Sequence, residues 1–149
     1  VFDSSYTDKL DLIGKDFTLS FSPRVFANSS YKKYDGDDAG IRFTISYNTG
    51  NTNLNGATAL SSQLMLEGEF YKGKDKESIN LLSGAMDLTL NYDTTKASLR
   101  KITNKDMYYF SDEYSIWTKI SNTTVYDYLG VVNGSITNLG RYAILGYRR

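Results

Sequence analysis

Apolar and polar residues alternate with period two in segment after segment of this chain, the pattern of strands with one buried and one solvated face. Residues 17–21 place Phe17, Leu19 and Phe21 on one side and hydroxyls on the other, and residues 41–47 repeat this with Ile41, Phe43, Ile45 and Tyr47. Residues 60–71 carry Leu64, Leu66 and Phe70 in phase with Gly68, where a glycine predicts a bulge or a close approach of another backbone. The clearest strand is 86–92; after it, Asp93 to Lys96 reads as a tight turn into a strand at 97–102, closing a hairpin. Residues 114–120 set Trp117 and Ile116 on opposite faces, 125–136 reads as one long strand or two broken at Gly130, and 142–147 closes the chain. The pattern predicts about eight strands.

Polar stretches bearing Gly or Asn separate the strands: Asn48 to Asn51, Asn53 to Gly56, Lys72 to Asp75, and Asn133-Gly134. Pro23 follows the first strand, where a missing N–H does little harm. Helix is a minor expectation, confined to a turn at 8–13. So many strands must hide their apolar faces by closing on themselves or by pairing two sheets. The predicted fold is all-β and antiparallel, a closed up-and-down β-barrel with a two-sheet β-sandwich as the alternative. Residues 1–149 read as a single domain, with 1–16 a less ordered N-terminal segment.

Composition narrows the chemistry. The 149 residues include no histidine and no cysteine, which removes the usual general base near neutral pH, the thiolate nucleophile and the commonest transition-metal ligands. Seventeen Lys+Arg balance seventeen Asp+Glu, and no basic stripe exists to follow a phosphate backbone, so nucleic acid is not an expected partner. No apolar run approaches the roughly 20 residues of a membrane-spanning helix. Three Asn-x-Ser/Thr triplets, at Asn28, Asn122 and Asn133, carry little weight in a chain rich in these residues.

Two carboxylate pairs are candidates for acid–base work, which needs two such groups about 5–9 Å apart. Glu67 and Glu69 share the polar side of one strand, and Asp112-Glu113 lies in a turn; a solvated strand face and a solvated turn account for both. Asp35, Asp37 and Asp38 beside Gly36 form a weak candidate for a hard cation, yet Ser46 stands where an EF-hand would place its bidentate Glu. No cofactor is expected.

The aromatic residues say more. Thirteen Tyr and one Trp exceed what the core requires, and Tyr31, Tyr34, Tyr71, Tyr108, Tyr109, Tyr114, Tyr126 and Tyr128 fall in loops or beside polar residues. Tyrosine offers a large contact area, a hydroxyl and two torsions to freeze, which suits a recognition surface. Rim and cross-strand positions in a sheet also use it. The candidate contact residues are Tyr31, Lys32, Lys33, Tyr34, Tyr108, Tyr109 and Trp117.

Gly68-Glu69-Phe70-Tyr71-Lys72-Gly73, a polar loop, Ser83 to Tyr92, a turn bearing Lys96, and Leu99 to Ile102 resemble the β-barrel domains of Gram-negative surface lipoproteins of the transferrin-binding protein B and factor H-binding protein type. The closing Ala143-Ile144-Leu145-Gly146-Tyr147-Arg148-Arg149 is similar to their short, basic-ended last strand. The aromatic-glycine signature near the end of those barrels and the anchor cysteine are absent from this chain. The resemblance implies an eight-stranded barrel on a bacterial surface that captures a host protein or iron source, and it transfers no single contact residue.

These readings converge on a non-enzymatic binding module, extracytoplasmic, on a bacterial surface or secreted, that recognises a host protein or a ligand borne by one through Tyr/Lys-rich loops. A carbohydrate-binding β-sandwich, with Trp117 stacking on a sugar, is one alternative. A self-assembling structural subunit of a virion or appendage is another.

Overall fold

The computed structural model describes residues 9–26, 34, 36–48, 54, 56–111 and 113–148. Among the described residues twelve strands, a 3-10 turn of helix and one short α-helix follow one another: β1 (Leu10–Ile13), β2 (Phe17–Phe21), the 3-10 turn (Pro23–Phe26), β3 (Ala39–Asn48), β4 (Thr58–Ala59), β5 (Gln63–Lys72), β6 (Asp75–Ile79), β7 (Leu81–Asn91), α1 (Thr94–Leu99), β8 (Ile102–Ser111), β9 (Ile116–Lys119), β10 (Thr123–Tyr126), β11 (Val131–Asn138) and β12 (Arg141–Arg148). Among the described residues no helix is long and apolar enough to cross a membrane.

Among the described residues the strands form two antiparallel sheets and no closed ring, so the expected barrel is corrected in favour of two layers. The first sheet runs β1-β2-β7-β11-β10, and the second β3-β5-β12-β8-β9, with β4 on β12 and β6 on β5. One core lies between them, built from Leu19, Phe21, Met86, Leu88 and Val132 of the first and Leu64, Leu66, Phe70, Met107 and Ile144 of the second. Phe21 of β2 meets Phe43 of β3 edge to face at 5.7 Å. A Cβ on Gly134 of β11 would stand 3.1 Å from Met107 Sδ of β8. That close approach explains why Asn133-Gly134, a turn by composition, sits instead in mid-strand between β7 and β10.

Three further expectations change. Residues 94–99 are helical, because the Asp93 carboxylate accepts from the Lys96 N–H at 2.9 Å and caps the first turn. β7 and β8 therefore belong to different sheets and make no hairpin. Residues 10–13 form strand β1 against β2 instead of a helical turn, and they lie inside the segment 1–16 expected to be less ordered. Gly68 keeps uninterrupted register with Phe43 and Ile79; its missing side chain makes room for the Leu139 side chain, not for a bulge. The break at Gly130 does separate two strands, β10 and β11.

The second sheet is apolar on both faces over β8 and β12. Tyr142 and Ile144 point into the main core, while Ala143 and Leu145 join Phe110 and Trp117 in a second cluster under Leu54, Ala57 and Ala59. β12 is accordingly buried at five consecutive positions, 142–146.

Candidate functional site

Among the described residues Tyr128 is the most exposed of the large apolar and aromatic side chains, and it shares the turn between β10 and β11 with exposed Leu129, next to Tyr126 at the end of β10; Ile13, Leu81, Leu99 and Tyr114 are exposed singly elsewhere. Tyr128 is 85% exposed, Leu129 60% and Tyr126 38%. The backbone of this turn is closed by its own hydrogen bonds: Leu129 N–H and Gly130 N–H both donate to the Tyr126 carbonyl, at 3.1 and 2.9 Å. Gly130 adopts φ +68°, and a Cβ there would also stand 2.8 Å from the Thr94 methyl; conformation and space both ask for glycine. Its carbonyl accepts from the Tyr92 N–H at 2.9 Å, which stitches the turn to the end of β7.

Asp127 fixes the middle of the turn. Its Oδ1 lies 2.8 Å from Lys105 Nζ and accepts from the Tyr92 hydroxyl at 3.0 Å. The Lys105 side chain, 13% exposed, also places its ammonium 5.6 Å from the Tyr92 ring centroid. The hydrogen bonds from Lys105 and Tyr92 hold the Asp127 carboxyl below its usual range. Burial, then the bond to Asp127, pushes the Tyr92 phenol up to about 12. The result is a rigid turn carrying a phenol and an isobutyl group outward.

Compared with protein families, with curated proteins and with solved structures, the chain matches none. The site is therefore read from its own geometry. Burying a side chain of this kind contributes about 1.5–3 kcal/mol, and a pre-ordered turn loses little entropy when a partner covers it.

The residues expected to make contacts are dispersed. Tyr31, Lys32 and Lys33 lie outside the described residues. Tyr34 is half-buried and stacked on Phe70 at 5.5 Å. Tyr108 and Tyr109, adjacent on β8, face opposite ways: Tyr108 packs edge-on to Tyr147 at 6.3 Å, and Tyr109 tilts against Tyr142 at 5.2 Å. Trp117 is corrected from a surface to a buried position, 7% exposed. It pairs with Phe110 across the β8–β9 ladder, rings 5.2 Å apart, because the sheet's outer face is apolar there.

The other candidates also separate. Glu69 forms an ion pair with Arg42, while Glu67 is exposed and forms none among the described residues; Asp112 and Asp35 lie outside the described residues. Asp37 and Asp38 are exposed, and among the described residues no group of three acidic side chains could hold a metal. Sequence reasoning placed Tyr126 and Tyr128 in loops but did not single them out. Lys105, which anchors their turn, carries no local signal at all.

Proposed function

We propose that the protein is a non-enzymatic binding module that recognises a protein partner, or a ligand carried by one, with the β10–β11 turn as its principal contact. The observation that carries this reading is the exposure of Tyr128 and Leu129 on a turn whose central Asp127 is held by Lys105 and Tyr92. Large apolar side chains kept in water on an ordered turn are the hallmark of a contact centre, where Tyr is enriched.

An extracytoplasmic setting, on a bacterial surface or secreted, belongs to the same proposal. It is supported by the resemblance of the 68–102 and 143–149 segments to surface lipoproteins, although the two-sheet arrangement departs from the closed barrel which that resemblance implies. A saccharide reading built on Trp117 has lost its stacking residue, since the indole is buried.

The test is capture of partners from host serum by the wild-type protein and by a Tyr128→Ala/Leu129→Ala variant. A partner held by the wild type and lost by the folded variant supports the proposal. Equal capture by both removes the turn from it.

A further inference from the structure

Strand β5 changes partners along one of its edges, and a cleft opens at the change. Leu64 and Met65 pair with Tyr142 and Arg141 of β12, whereas Gly68 to Lys72 pair with β6. Between them the Leu66 N–H donates to the Gly140 carbonyl at 2.8 Å, and the Leu139 N–H to the Asn80 carbonyl at 2.8 Å. These two bonds seat the 139–140 turn between the end of β6 and the start of β12. The space left is about 440 Å³, within the range of about 300–1,000 Å³ typical of small-molecule sites. Glycine is required at its wall: a Cβ on Gly140, at φ +151°, would stand 2.7 Å from the Tyr109 ring.

The lining is chemically mixed. Glu67 and Glu113 bring exposed carboxylates that form no ion pair among the described residues. Arg141 brings a guanidinium already poised 5.2 Å over the Phe110 ring, Ser78 and Asn80 bring groups that donate and accept, and Tyr109 brings a ring edge and hydroxyl. A cationic ligand would meet Arg141, an anionic one would meet two carboxylates, and an apolar one would strip water from all of these groups without replacing their bonds. A polyhydroxylated ligand fits the set. Each hydroxyl can donate to a carboxylate and accept from a guanidinium or amide, while its C–H faces lie against half-buried Met65 and Tyr109, which also line the cleft.

We propose that this cleft binds a short neutral saccharide, at a site sharing no residue with the aromatic turn. The test is a glycan array probed with the wild type and with the Glu67→Gln, Glu113→Gln and Tyr128→Ala variants, each first shown to unfold at an unchanged temperature. The wild type is expected to hold one class of neutral glycan, each Gln variant to bind it at least tenfold more weakly, and Tyr128→Ala to bind it as the wild type does. Amide shifts of Gly68 and Gly140 on titration with the soluble oligosaccharide would place it in the cleft. Absence of neutral-glycan binding, preference for a poly-lysine probe, or undiminished binding by both Gln variants overturns the proposal. Since Tyr128 lies on the turn whose Tyr128→Ala/Leu129→Ala variant decides partner capture and is outside the cleft, the two readings fail separately.

Discussion

Lys105 and Asp127 are joined between the two sheets: the ammonium, on β8 of the second sheet, lies 2.8 Å from the carboxylate on a turn of the first. Tyr92 donates to the same oxygen. Replacing Asp127 with Asn leaves a largely buried ammonium facing a neutral amide. The expected loss is about 1 kcal/mol, at the low end for a charged hydrogen bond because the carboxylate is itself exposed. Urea unfolding of Asp127→Asn against the wild type measures it.

The same contact sets a pH dependence at both extremes. The Asp127 carboxyl is depressed in the folded state, so its contribution is present above the unfolded value near 3.8 and is lost as pH falls through the depressed one. The Tyr92 phenol is raised, so its contribution is present below its ordinary value of 10.0 and is lost as pH rises toward about 12. Melting temperatures should fall on both sides, and the acid-side fall should be smaller in Asp127→Asn. An acid limb identical in the two proteins would show that this carboxylate contributes nothing.

α1 tests the cap that redirects the chain after β7. Asp93→Ala removes the acceptor for the Lys96 N–H and is expected to cost about 1 kcal/mol, read by chemical denaturation. Asp93→Asn, which keeps an acceptor oxygen, should restore most of it.

This helix also shows where local reading fails. Asp93-Thr94-Thr95-Lys96 satisfies a turn and an N-cap equally well, and six residues are too few for an apolar stripe to decide. By contrast β2, β3 and β7 were legible because apolar and polar positions alternate along them, with the more buried side chains on one face. β12 follows a different logic: it is buried on both sides, so alternation there says nothing of what covers it. Trp117 is the cost of that gap. Its phase relative to Ile116 was legible, but the apolar cover on its own side comes from Leu54, Ala57 and Ala59, some sixty positions earlier. Tyr126 and Tyr128 were legible as loop aromatics. Their rigidity was not, since Lys105 and Tyr92 reach Asp127 through the fold alone.

Trp117 yields a prediction of its own. Its indole N–H is buried without a hydrogen-bond acceptor among the described residues, an arrangement that costs about 1–3 kcal/mol where it occurs. Trp117→Phe removes that donor while keeping an aromatic ring against Phe110, at the expense of some packing volume. The two effects oppose each other, so a change within about 1 kcal/mol is expected, against about 3–5 kcal/mol lost in Trp117→Ala. Thermal melts of the two variants distinguish an apolar role from a polar one.

Tyr128 should behave in the opposite way to a core residue. Its side chain is 85% exposed, so truncation opens no cavity and unpairs no buried group; Tyr128→Ala is expected to shift stability by no more than about 0.5 kcal/mol. Met107→Ala, at a fully buried position shared by both sheets, is expected to cost about 2–5 kcal/mol. The contrast bears on function because a residue that the fold does not need, yet displays on a locked turn, is free to serve a partner. Parallel urea titrations supply the measurement: a Tyr128→Ala loss comparable with that of Met107→Ala would mean that the phenol is engaged in the folded chain itself and would leave the turn no surplus contact to offer.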